Sequence, residues 1–203
     1  MTPTPAATLA GLRSTVSGVL GDPLRVFSEP GPVYEADVTF DEDADLPGLT
    51  QLLRPGWRYT TFVRVAPTSE DAVVRTVCIK FPDAYGPGSD QDFLFASSGD
   101  GAPLHHFVFP SARADERLYS SLWLYLAGVR PVVFGAAAAK GSQPGALGRG
   151  DRLDFMVGGV IGRFTRVGGI QLGNEIPQAS VDFAASNAGG GIRPLPPALF
   201  YRG

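Results

Sequence analysis

From residue 32 to 109 the chain alternates short runs rich in β-branched and aromatic residues with clusters of Pro, Gly, Asp and Ser, which predicts strands over 33–40, 59–65, 73–81, 92–96 and 104–109 separated by turns. Strands recurring this closely, with polar turns between them, favour an antiparallel barrel, a form that leaves no exposed sheet edge and can enclose a ligand. Ahead of this region Leu9, Leu12, Val16, Val19 and Leu20 recur at helical spacing between Pro5 and Gly21, predicting an N-terminal amphipathic helix. A second helix is predicted over 114–127, where Leu118, Leu122 and Tyr125 fall on one face and Gly128 supplies a stop. Residues 135–150, dominated by Ala and Gly, read as a loop. Strands resume at 153–157 and 160–172, interrupted by the glycine pairs 158–159 and 168–169, and the Gly/Pro-rich tail from Asn187 reads as irregular. The fold class expected is α+β, an antiparallel β-barrel with a few flanking helices.

Composition narrows the classes. The 203 residues suit one domain with a sizeable core, and 44% hydrophobic against 18% charged residues excludes general disorder. With 26 Gly and 18 Pro the chain is built for turns rather than long helices. A net charge of −3, with no basic run interleaved with aromatics, argues against nucleic acid as a partner. One cysteine, Cys78, cannot form an internal disulfide and lies in an apolar stretch, in keeping with a reducing compartment. The N-terminus lacks the charges that open a secretory signal, and no stretch reaches the roughly 18 apolar residues of a membrane span, so a cytoplasmic, soluble protein is expected.

The run 73–81, which contains Cys78, Ile79, Lys80 and Phe81, is followed by Gln91, Asp92, Phe93, Leu94 and Phe95, and this pair of motifs resembles the haem barrel of the catalase superfamily. Three blocks stand in that family's order. Residues 25–31 with 33–39 resemble the segment carrying the distal histidine, whose place is taken here by Ser28. Residues 56–64, 74–81 and 92–95 resemble the strands behind the haem, with Arg64 and Arg75 on arginines that contact haem propionates. Residues 175–183, Asn187, Gly191 and Ile192, through Pro196 and Pro197 to Leu199, resemble the segment before the proximal helix, so Tyr201 is a loose counterpart of the axial tyrosine. The resemblance implies a helical extension over 1–22, one catalase-like barrel domain over 23–203, and a homodimer by family analogy.

The substitutions bear on chemistry. Heterolysis of a peroxide needs a group that takes a proton from one oxygen and returns it to the other, a role suited to histidine; a serine such as Ser28 is a poor shuttle without an adjacent base, and losing such a group costs about 10²- to 10⁴-fold in rate. Catalase activity is therefore expected to be lost or strongly altered. Arg64 and Arg75 can each clamp a carboxylate, pointing to haem or another flat, apolar, carboxylated ligand, although structural ion pairing explains them equally well. Phe62, Val77, Phe93, Phe95 and Phe107 are candidates for the apolar wall around that ligand. His105 and His106, adjacent on a predicted strand, should point to opposite faces; an inward one could replace Ser28 as proton carrier, and if haem iron is bound its ligand would be Tyr201, His105 or His106.

Other chemistry is weaker. The acidic cluster 41–45 lacks the glycine and terminal glutamate of a calcium loop, two histidines fall short of a zinc set, no nucleophile elbow occurs, and glycines 189–191 lack a phosphate-loop setting. Three functions remain: a catalase-like haem-pocket protein with altered or absent catalysis, a non-catalytic structural or interaction module whose barrel is filled by side chains, and a haem-independent enzyme on a small apolar substrate using Ser28 with Glu29 or a histidine.

Overall fold

The computed structural model describes residues 26–66, 74–111, 113–115, 118–140, 147–177 and 181–203. The helix expected over residues 9–20 lies outside these, as does Arg25. Ten strands are present: β1 (Val33–Phe40), β2 (Arg58–Ala66), β3 (Thr76–Phe81), β4 (Gln91–Ser98), β5 (Leu118–Ser120), β6 (Tyr125–Ala127), β7 (Arg130–Ala138), β8 (Arg152–Gly159), β9 (Phe164–Ile176) and β10 (Ile192–Pro194). Every pairing between these strands is antiparallel, and contact between β7 and β8 closes an eight-strand barrel in the order β7-β5-β4-β3-β2-β1-β9-β8. β6 follows β5 along the same edge of β7, and β10 pairs with β6.

The helical residues described are confined to 3-10 turns at Leu104–His106 and Ala198–Phe200, so the architecture is mostly β and the expected flanking helix over 114–127 is replaced by β5 and β6. Helical spacing of Leu118, Leu122 and Tyr125 is overruled by pairing with β4 and β7, and Leu122 itself has a φ of 57°, outside the helical region. The hydroxyls of Ser120 and Ser121 complete this kink by accepting from the N–H groups of Leu122 and Phe134. No helix among the described residues is long and apolar enough to cross a membrane.

Part of the expected 135–150 loop is strand, since β7 runs to Ala138. The small residues there answer to packing: a Cβ on Gly135 would lie 2.5 Å from the Tyr119 carbonyl oxygen. Gly168 is likewise inside β9, where a Cβ would come within 2.4 Å of the Thr39 carbonyl, so this glycine permits the close approach of β1 rather than ending the strand. The strands expected over 153–157 and 160–172 are β8 and β9, with β8 running on through the glycine pair to Gly159 and β9 starting only at Phe164. The tail is less irregular than composition suggests, because β10 docks on β6.

Strand alternation and register define two faces. Ala36, Val38 and Phe40 of β1, Tyr59, Thr61, Val63 and Val65 of β2, Val77, Ile79 and Phe81 of β3, and Phe93 and Phe95 of β4 turn inward. The opposite face of β2–β4, carrying Phe62, Arg64, Cys78, Lys80 and Asp92, is overlaid by the C-terminal segment, which hydrogen-bonds along β4 through Asp92 N–H to the Asn187 carbonyl. The expected strand 104–109 is replaced by the 3-10 turn, with a single bridge from Val108 to Ser98.

Candidate functional site

An eight-strand barrel has an interior just wide enough to be filled by side chains or to hold one small ligand. Here Phe40, Phe81, Phe93, Phe95, Phe134 and Phe155 are all fully or almost fully buried within it. Phe93 is the hub, its ring centre 4.7 Å from Phe134, 5.6 Å from Phe155, 5.9 Å from Phe81 and Tyr125, and 6.1 Å from Phe95. These separations are those of edge-to-face and offset rings in contact. Val38, Val63, Val77, Ile79, Leu153 and Ile170, all buried, fill the space around them.

The two arginines part company. Arg64 pairs across the sheet with Cys78, whereas Arg75 shares the alternation of Val77, so their side chains leave the sheet on opposite faces. Arg64 is buried on the outer face, where its Nη2 donates to the Phe27 carbonyl at 2.6 Å and to Cys78 Sγ at 3.4 Å, and its guanidinium lies 5.1 Å from the centre of the Phe183 ring. Arg75 donates through Nε to the Ser111 carbonyl at 3.3 Å. Burial pushes the Cys78 thiol up to about 11, against the pull of Arg64, so it stays protonated and inert.

The other residues singled out in the sequence scatter. Tyr201 is buried outside the barrel wall, its ring 4.8 Å from Phe27, whose carbonyl accepts from Arg64. Burial raises its hydroxyl pKa well above the usual phenol range. Phe62 is half-buried on the outer face opposite Lys80, Phe95 belongs to the filled interior, and Phe107 is exposed on the 3-10 turn. Ser28 and Glu29 are exposed at the surface beside Phe27, with Ser28 held by a contact of its own.

His105 and His106 do not point to opposite faces. On the tight 3-10 turn their Nε2 atoms come to 3.0 Å, with ring centres 4.2 Å apart, and His106 Nδ1 lies 2.5 Å from the Leu122 carbonyl oxygen. His105 is fully buried against Phe164; His106 is half-buried against Trp123. Burial first, then the neighbouring imidazole, lowers the His105 pKa, opposed by Asp100.

A polar cluster that sequence reasoning passed over lies beneath the C-terminal segment. Asp92 is fully buried, and its Oδ2 accepts from Lys80 Nζ at 3.1 Å, the Ala184 N–H at 2.8 Å and Asn187 Nδ2 at 2.9 Å. Lys80 also reaches Asp90 at 2.9 Å. Burial raises the Asp92 pKa in spite of these donors, whereas for Lys80 the two carboxylates outweigh burial and hold the ammonium more firmly than usual. The cluster ties strands β3 and β4 to the tail and has the geometry of a clasp. Its signal was a single charged residue in each of two consecutive apolar strands. Arg64 Nε, Asp92 Oδ1, His105 Nδ1 and the Tyr125 hydroxyl are buried with no hydrogen-bond partner among the described residues.

Two depressions described on the surface lie outside the barrel: a groove of about 540 Å³ between Asp37, Arg58, Lys140, Arg152, Asp154 and Arg166, and a smaller one of about 320 Å³ beside Tyr85, Asp90 and Asn187. The first is lined by exposed pairs such as Arg58 with Asp37 and Arg166 with Asp154, which contribute little to stability. Within the described residues no group of three or more His, Cys, Asp or Glu gathers as a metal set. No known family model matches the chain, and no curated protein matches it.

Proposed function

We propose that this chain is a divergent barrel of the catalase type that serves as a non-catalytic structural or interaction module, its interior given over to side chains instead of haem. The observation that carries this reading is the cluster of six phenylalanines with Phe93 at its hub, whose rings contact one another across the barrel interior. The residues expected to hold haem are badly placed for it, because Arg64 and Arg75 stand on opposite faces, Arg64 is engaged by Phe27 and Cys78, and Tyr201 is outside the wall. A haem-independent enzyme built on Ser28 and Glu29 has little support either, because both are exposed at the surface and His105 is fully buried on the turn at 104–106.

An interaction role draws support from apolar side chains left in solvent around the 3-10 turn. Leu104 and Phe107 flank the histidines, Trp123 packs on His106, and the β8–β9 tip carrying Val160 and Ile161 is bonded to the same loop through the Ala102 N–H and the Gly162 carbonyl. Ile161, at that tip, is 89% exposed. Titration of the purified full chain with haemin, followed by absorbance and gel filtration, is expected to give no saturable Soret band. A one-to-one band that disappears in Arg64→Ala or Arg75→Ala would overturn the proposal.

A further inference from the structure

The histidine turn stands apart from the filled interior, and its hydrogen bonds fix more than its shape. A carbonyl oxygen can only accept, so the 2.5 Å contact with Leu122 places the proton of neutral His106 on Nδ1 and leaves a bare lone pair on Nε2. An imidazole that donates one ring N–H to a backbone carbonyl while presenting the other nitrogen is the arrangement that orients metal-bound histidines. The Nε2 of His105 stands 3.0 Å from that lone pair.

A straight N–H···N bond of this length would hold the two ring centres about 5 Å apart. They are 4.2 Å apart with the rings inclined at 73°, so the two nitrogens do not both point along the line between them. The contact is thus a bent hydrogen bond, and the spacing itself is informative. With metal–imidazole bonds of about 2.0–2.1 Å, neighbouring ligands lie about 2.9 Å apart in a square-planar array and about 3.3 Å apart in a tetrahedral one. The observed 3.0 Å matches the first.

We propose that His105 and His106 form a bidentate site for Cu(II) or Ni(II), both binding through Nε2, with water completing the tetragonal shell. Binding requires His105 to carry its proton on Nδ1 rather than Nε2, a tautomer change that releases no proton. The change gives up the hydrogen bond from His105 Nε2 to His106 and leaves the buried Nδ1–H of His105 without a partner among the described residues, a cost that the two metal–nitrogen bonds have to exceed. Half-exposed His106 gives the ion its way in, beside Trp123. With two protein ligands the site keeps open positions, suited to exchangeable water or a further donor from a partner.

The test is a Cu(II) titration of the full chain in a non-coordinating buffer, read by calorimetry and electron paramagnetic resonance. A single tetragonal species with coupling to two nitrogens is expected, and His106→Ala should weaken binding at least tenfold. Because His106 is half-exposed, that variant should fold, which circular dichroism and melting establish; His106→Gln provides the same loss of ligand while keeping a side chain that can hydrogen-bond. Unchanged affinity in either folded variant, as copper held by the terminal amine would give, or a signal lacking the two nitrogens, would overturn the site.

Discussion

Phe93→Ala is expected to destabilise the protein by about 4 kcal/mol, the range for removing a buried phenyl ring whose surroundings relax only in part. Phe93 touches five aromatic rings from β3, β4, β6, β7 and β8, so no single neighbour can swing in to fill the void. Phe62→Ala, on the half-buried outer face, should cost about 1–2 kcal/mol, since less apolar surface leaves water there. Urea unfolding of the two variants measures the contrast. A loss of less than about 1 kcal/mol for Phe93 would mean that the ring borders an open space, where truncation leaves few contacts to lose.

Lys80→Met should cost about 3 kcal/mol at neutral pH, because it strips a fully buried carboxylate of its counter-charge and leaves it only the Ala184 and Asn187 donors. The pH dependence has a definite sign. Burial already holds the folded-state pKa of Asp92 above its ordinary value of 3.8, so the folded state takes up this proton more readily than the unfolded chain, and the carboxyl's contribution to stability falls as pH rises through that window. Loss of Lys80 widens the window upward. The difference in stability between Lys80→Met and the wild type is therefore largest at neutral pH and shrinks on acidification toward pH 4. Adding Asp92→Asn to the variant should recover part of the loss, as removing both charges of a buried pair is milder than removing one. A deficit that stays constant with pH, or a double variant as unstable as the sum of the singles, would show that the cluster is not an electrostatic clasp.

Strands β1 to β4 were legible in the sequence because their apolar runs are bounded by strong turn residues, and their inward alternation follows directly. β7 was hidden: Gly135 and the alanines after it carry no hydrophobic signature, and the need for small side chains arises only from Tyr119 on a neighbouring strand. β5 and β6 were masked by leucines that happen to fall at helical spacing, while the kink at Leu122 depends on serine hydroxyls that pattern reading does not weigh.

The candidate site was less legible than the barrel. Arg64 and Arg75 look equivalent along the chain, and only the pairing of Arg64 with Cys78 sends them to opposite faces. Lys80 and Asp92 were visible as lone charges, but their meeting depends on the same cross-strand register, Lys80 opposite Asp92, and on a tail segment nearly a hundred residues away in Asn187. The apolar setting of the histidines predicts strand residues with opposed side chains; a 3-10 turn, closed by the His106 N–H to the Pro103 carbonyl, brings them together instead.

Xenon enters apolar cavities of molecular size and leaves packed interiors empty, so crystals of the wild type and of Phe93→Ala under xenon pressure interrogate the barrel directly. The wild type is predicted to show no xenon among Phe93, Phe95, Phe134 and Phe155, and the variant to take it up at the vacated ring. Xenon at that place in the wild type would contradict a filled barrel.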